Sequence, residues 1–288
     1  ETAHRYVLGL YHIMDELTTR FPEILFEGCS SGGNRFDLGI LNYFPQIWAS
    51  DNTDALCRTG IQNSYSYGYP LSVFTAHVSS CPNHQTLRIT PLETRFQVAS
   101  FGVLGYECNL KDLSGSDLNA IREQIALYKK WREVFQFGTF YRGTENEDSD
   151  SETLSWTCVS PDGRRAVGLF FRRLTTPNQS HDWYRPVGLL PDVKYHFYGR
   201  NIKYNLKDFG DLVNTVSPVH IKQGSALQEI LSRFVNMDGE KEDLTAYGDT
   251  LMLAGIALKP AFAGTGYNSD TRLFPDFSSR IYFMEAVE

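Results

Sequence analysis

Twice near the start of this 288-residue chain, a short apolar run stops abruptly in a loop of small or polar side chains. Ile24-Leu25-Phe26-Glu27 runs into Gly28-Cys29-Ser30-Ser31-Gly32-Gly33, and Gln46-Ile47-Trp48-Ala49 runs into Ser50-Asp51-Asn52-Thr53-Asp54. A strand that is apolar along its length is covered on both faces, the habit of parallel sheets flanked by helices. Parallel neighbours cannot be joined by a tight hairpin, so a crossover, usually helical, must follow each strand. A helix also stands ahead of the first run. Val7, Leu10, Tyr11, Met14 and Leu17 recur at spacings of three and four over about residues 3 to 20, until Pro22 ends the pattern. Helix, buried strand and polar loop, then strand and polar loop again, predict consecutive β/α units.

A long helix is predicted over about 117–135, opened by Ser114 or Ser116 as N-cap, with Leu118, Ile121, Ile125, Tyr128 and Trp131 turned inward. After Phe137 the period changes. Leu154–Val159, Ala166–Arg172 and Lys194–Tyr198 are short alternating runs separated by turn residues such as Pro161-Asp162-Gly163, the pattern of antiparallel strands. Residues 1–137 are therefore assigned to β/α units and 138–288 to an antiparallel β domain, an α/β plus all-β chain. The acidic stretch from Glu145 to Glu152 lacks the central glycine of a calcium loop and reads as a solvated hairpin loop. Glu240-Lys241-Glu242-Asp243 reads as an exposed charged turn, and Gly264-Thr265-Gly266 as an ordinary one.

Composition removes several function classes. The net charge of -7, with no face of clustered Lys and Arg, argues against a nucleic-acid partner. Cys29, Cys57, Cys81, Cys108 and Cys158 show no C-x-x-C pair and no zinc spacing; an odd, scattered set predicts free thiols and a reducing, cytoplasmic compartment. The single sequon at Asn178-Gln179-Ser180 is weak evidence for secretion. No apolar run approaches the roughly 18–20 residues that cross a bilayer, so no membrane helix is expected. The first residues lead straight into the helical pattern, so the chain is expected to start inside an element, as a fragment does.

The two polar loops are where chemistry is sought, because loops after parallel strands line the active site of a β/α barrel. In the first, Gly32-Gly33 either makes a tight turn or lets backbone approach a ligand closely. The second holds two carboxylates, Asp51 and Asp54. Asp54 or Thr53 suits the cap of a following helix; Asp51 stands nearer the strand end and is either a cap neighbour or a catalytic group. Trp48, three residues earlier, is either a sugar-facing wall or packing. His77 and His84 are placed in a polar stretch, without the elbow of a serine or cysteine hydrolase around them. No helix start or elbow marks Cys29 as a nucleophile.

Phe26-Glu27-Gly28-Cys29-Ser30-Ser31-Gly32-Gly33-Asn34-Arg35-Phe36-Asp37 resembles the C-S-G-G-G-R-F-D segment of family 36 α-galactosidases. Pro45 to Ala55 resembles that family's W-x-S-D-[DN]-T-D-A block, with the same 22-residue interval between Cys29 and Asp51. Pro82-Asn83-His84-Gln85, Thr90 to Arg95, Gly264 to Ser269 and Arg280 to Glu285 are similar as well. The resemblance implies the last units of a (β/α)8 TIM barrel followed by an antiparallel β domain. It implies a retaining hydrolase acting on terminal α-galactose, in melibiose- or raffinose-type substrates, with neither metal nor organic cofactor. Asp51 corresponds to the general acid/base; Cys29, Gly32 and Trp48 correspond to galactose-contacting positions. A homotetramer is implied in the same way. The family's nucleophile motif K-W-D is not found; Lys130-Trp131-Arg132 lacks the carboxylate. The expectation is therefore a C-terminal fragment, inactive alone. Galactosyl transfer of the raffinose-synthase type and non-catalytic sugar binding remain the alternatives.

Overall fold

The computed structural model describes residues 1–143, 152–176, 182–215, 217–232, 234–238, 242–259 and 274–287. The sequon, the glycine-rich 264–269 segment and the acidic residues 145–151 lie outside them. The chain divides into two compact units, Glu1–Phe140 and Tyr141–Glu288.

The first unit opens with helix α1 (Thr2–Arg20), supported on its exposed face by Glu1–Arg5 and Glu16–Arg20 pairs at i,i+4. It stops at Phe21, because the residue before a proline is driven out of the α region. Strands β1 (Glu27–Gly28), β2 (Gln46–Trp48), β3 (Phe74–Ser79) and β4 (Val103–Glu107) then form one sheet in sequential order, parallel throughout. Between them lie the single helical turn α2 (Ser30–Gly33), helix α3 (Ala55–Tyr65) and helix α4 (Leu92–Ala99). This is the expected β/α succession. Helix α5 (Gly115–Phe137) closes the unit, and Ser114 and Asp117 make a capping box that satisfies donors at its start. Ile121, Tyr128 and Trp131 are buried as predicted, whereas Ile125 is exposed; the inner position one turn from Tyr128 belongs to Gln124, whose amide bonds Glu93 and Tyr106.

The first apolar run departs from its reading as a buried strand. Only Glu27–Gly28 pairs, and Ile24 and Leu25 are exposed. Among the described residues β1 pairs with β2 alone, and Ile24 and Leu25 precede the paired residues.

In the second unit, β5 (Thr139–Arg142), β6 (Thr153–Val159), β7 (Arg165–Arg172), β8 (Trp183–Tyr184) and β9 (Lys194–Gly199) come first. Strands β10 (Lys203–Asn205), β11 (Asn236–Asp238), β12 (Asp243–Tyr247), β13 (Ile256–Ala257) and β14 (Ser278–Ala286) follow. A six-stranded sheet runs β12-β9-β14-β7-β6-β5, with antiparallel registers such as Phe283↔Val167. The β6–β7 hairpin turns at the predicted Pro161-Asp162-Gly163, where Gly163 takes φ +71. One face buries Phe170, Tyr184, Tyr195, Phe197, Tyr282 and Met284. Glu242 corrects the expectation of an exposed turn. It is buried, its carboxylate accepting from Lys259 N at 2.9 Å and its carbonyl from Gly199 N at 2.9 Å.

Candidate functional site

The loop after β2 separates two carboxylates that the sequence sets three residues apart. Asp54 is buried and fully engaged. It caps α3 through Leu56 N at 3.0 Å, accepts the Thr86 hydroxyl at 2.7 Å, and pairs with the Arg88 guanidinium. Thr53 is tied down as well, its hydroxyl accepting from Asn83 Nδ2 at 3.2 Å and its carbonyl from Ser79 Oγ at 3.3 Å. Asp51 is exposed, and among the described residues one side-chain donor reaches it: Trp48 Nε1 gives a hydrogen bond to Oδ1 at 2.7 Å. A donor-only indole leaves the rest of the carboxyl's bonding capacity free.

The loop after β1 supplies the opposite wall. Cys29 precedes the single turn α2, its Sγ accepting from Gly32 N at 3.4 Å; the turn is left-handed and gives this cysteine no regular helix N-terminus. Four consecutive residues, Ser30 to Gly33, have positive φ of 50°, 61°, 79° and 92°. Left-handed backbone costs a non-glycine residue roughly 1–2 kcal/mol, and such strain persists where surroundings enforce it. Here Arg35 Nε bonds Ser30 Oγ at 3.3 Å, Asn34 Nδ2 bonds the Ser31 carbonyl at 2.8 Å, and the Tyr65 hydroxyl donates to the Gly33 carbonyl. Two close approaches explain the glycines. A Cβ on Gly33 would lie 1.9 Å from the Ala49 carbonyl oxygen, and one on Gly32 would lie 2.6 Å from Asp51 Oδ2. The two loops therefore meet, and the bare backbone of Gly32 faces the Asp51 carboxyl.

Trp48 is half-buried, with the His77 ring 4.8 Å away and the Arg58 guanidinium carbon 4.8 Å above the indole. Burial pushes Arg58 down to about 10, against the field of Tyr65, Glu107 and Asp51, so it stays a cation at neutral pH. His77 belongs to β3, not to an irregular polar stretch; its Nδ1 lies 2.9 Å from Glu107 Oε2, and Gly105 leaves the space its ring fills. A cleft of about 400 Å³ opens beside Asp51, lined by Trp48, Thr53, Ser79, His84 and Glu107, a volume within the range of small-molecule sites. Cys29, Gly32, Trp48 and Asp51 are thus gathered at the carboxyl ends of β1 and β2. Sequence reading missed Arg58, His77 and Glu107. Arg58 sits in a helix without a motif, and the two others lie on neighbouring parallel strands, where Ser79↔Glu107 and His77↔Gly105 are register partners.

A polar cleft at the carboxyl ends of parallel strands, walled by a glycine turn and an indole, defines a β/α protein with a candidate small-ligand site. Residues 1–138 match the Melibiase family, and residues 153–284 match the glycosyl hydrolase family 36 C-terminal domain. The chain belongs to glycosyl hydrolase family 36. It is similar to α-galactosidase AgaA of Geobacillus stearothermophilus, 46% identical over 202 residues, covering 70% of this chain and 27% of that protein. It is similar also to α-galactosidase 1 of Pediococcus pentosaceus, 48% identical over 195 residues, covering 68% of this chain and 26% of that one. Among solved structures, the α-galactosidase from Lactobacillus brevis superposes with a TM-score of 0.76 at 35% identity, over 99% of this chain and 32% of the other. A variant of AgaA in complex with raffinose gives 0.74 at 37%, over 100% and 32%. The chain spans about a quarter of the length of the curated relatives it matches. No helix among the described residues is long and apolar enough to cross a membrane.

Proposed function

We propose that residues 1–288 are the C-terminal part of a retaining α-galactosidase, with Asp51 as general acid/base. Residues 1–137 are read as the last β/α units of its catalytic barrel and 138–288 as its antiparallel β domain. The observation that carries the assignment is the close approach of Gly32, where a Cβ would lie 2.6 Å from Asp51 Oδ2, together with the indole donor on Oδ1. It puts a carboxyl with one free oxygen at the lip of a sugar-sized cleft. In the proposed reaction a second carboxylate, from chain outside residues 1–288, attacks the anomeric carbon. Asp51 protonates the departing oxygen, then takes a proton from the water that releases galactose. Retaining enzymes hold two such carboxyls about 5–5.5 Å apart. Cys29, Gly32 and Trp48 are assigned to the galactose side of the cleft. Neither metal nor organic cofactor has a part in these steps.

The raffinose complex of the AgaA variant supports an α-galactoside oligosaccharide as the substrate class. Five free thiols suit a cytoplasmic setting, and a homotetramer is carried over from the family resemblance alone. The test is release of galactose from melibiose or raffinose by the complete polypeptide, with residues 1–288 assayed beside it. Turnover by the first and none by the second is expected. Turnover of nitrophenyl α-galactoside by residues 1–288 alone refutes the division of the catalytic pair; an inert complete polypeptide refutes the activity.

A further inference from the structure

Arg58 stands in the first turn of α3 with 2% of its surface exposed, and among the described residues none of its three guanidinium nitrogens has a hydrogen-bond partner. A buried cation without a hydrogen-bonded carboxylate is costly to keep. What it has instead is the face of Trp48, 4.8 Å from the ring centroid, where the indole quadrupole attracts a cation. His77 packs 4.8 Å from the same indole, so the ring is constrained by both neighbours. The constrained ring aims Nε1 at Asp51 Oδ1, 2.7 Å away. An indole N–H only donates, and the carbonyl oxygen of a neutral carboxyl accepts better than its hydroxyl, so the bond to Oδ1 favours the proton of the neutral carboxyl on Oδ2. Oδ2 is the oxygen that faces Gly32.

We propose that Arg58 is a positioning residue for galactoside cleavage: by stacking on Trp48 it fixes Oδ2 of Asp51 as the oxygen that carries the transferred proton. The proposal rests on the reading of Asp51 as the acid/base. As the bond from the anomeric carbon breaks, its electron pair passes to the leaving oxygen, which takes the Oδ2 proton, while the attacking carboxylate forms the new bond. The vacated Oδ2 then accepts a proton from water in the second step. Arg58 touches neither sugar nor water; it acts through the indole.

The experiment compares kcat/KM of the complete polypeptide on raffinose, whose leaving oxygen needs a proton, and on dinitrophenyl α-galactoside, whose leaving group departs unaided. Variants are R58M, R58K, W48F, R58M/W48F and D51A. General-acid assistance is worth about 10²–10⁴-fold. R58M is expected to lose about ten- to a hundredfold more on raffinose than on the dinitrophenyl substrate, a part of that range. R58K keeps the charge but not the planar stack and should show a smaller selective loss, about three- to tenfold. The double variant should be no worse than W48F. Equal losses on both substrates, in R58M or in R58K if R58M does not fold, overturn the proposal, as does a double variant whose losses multiply. A D51A variant without leaving-group selectivity brings down the assignment of Asp51 itself; selectivity in D51A but not in the Arg58 variants removes the positioning role alone.

Discussion

Replacing Gly32 with alanine tests the meeting of the two loops with one methyl group. The new Cβ would stand 2.6 Å from Asp51 Oδ2 and 2.9 Å from its Cγ, at a φ of +79°. Two effects follow, and they separate. The left-handed φ costs an alanine roughly 1–2 kcal/mol, which lowers the melting temperature by a few degrees in a protein of this size. The contact is different in kind, because the obstructed group is the end of a side chain that can swing away. To reach ordinary van der Waals distance the carboxyl must retreat by most of an ångström, and the indole bond to Oδ1 is lost or bent as it does. A misplacement of about 1 Å at a reacting group can cost on the order of 10²-fold in rate. Gly33→Ala is the control. Its Cβ would lie 1.9 Å from the Ala49 carbonyl oxygen, which is backbone and cannot swing, so the harm there is to stability. Melting curves and kcat/KM on raffinose for both variants in the complete polypeptide decide the matter. G32A is expected to stay folded with activity down about a hundredfold, and G33A to melt well below it. Wild-type kinetics for G32A refute the claim that Gly32 and Asp51 share a working surface.

Asp54→Ala removes the α3 cap and leaves Arg88 and Thr86 without their carboxylate; a loss of about 2–4 kcal/mol in urea unfolding is expected, and under 1 kcal/mol contradicts its structural assignment. Ser114→Ala opens the capping box of α5 and should cost about 1 kcal/mol by the same assay. Trp131→Ala empties a fully buried site and should cost about 3–5 kcal/mol. Burial drives the Cys158 thiol upward from its ordinary value of 9.0, so a maleimide at pH 8 should label exposed Cys29 and Cys81 and spare Cys158 until the chain unfolds. The linkage has a definite sign: the folded state keeps this proton longer than the unfolded one. Its contribution to stability is complete below pH 9 and falls as pH rises beyond, which urea titrations of Cys158→Ala and wild type at pH 8 and 10 can compare.

Much of the first unit is legible from pattern. Apolar spacing marks α1 and α5, and the two short runs ending in polar loops mark β1 and β2 in the right order and sense. The first run misleads because apolarity does not fix where pairing begins: Glu27–Gly28 pairs, and Ile24 and Leu25 lie ahead of the strand. Ile24 and Leu25 are apolar yet exposed, a fact of neighbours that local sequence does not hold. Ile125 fails for a related reason: a polar residue that finds partners, Gln124, can take the buried position. At the candidate site, loop chemistry was readable and distance was not. Locally Asp54 suits the cap of α3, but its full engagement appears only when Thr86 and Arg88 come in from 32 and 34 residues away. Arg58, His77 and Glu107 reach Trp48 and its cleft by helix phase and strand register. Neither leaves a motif.

The central claim is that Asp51 gives and takes the proton at the glycosidic oxygen. The most direct measurement is D51A in the complete polypeptide, assayed on raffinose and on dinitrophenyl α-galactoside with and without azide. Raffinose turnover is expected to fall by about 10²–10⁴-fold while the activated substrate still forms the covalent intermediate. Azide should then restore its turnover and yield galactosyl azide of α configuration, because retention reports attack on that intermediate. Unchanged raffinose kinetics, or no azide product, contradicts the role assigned to Asp51.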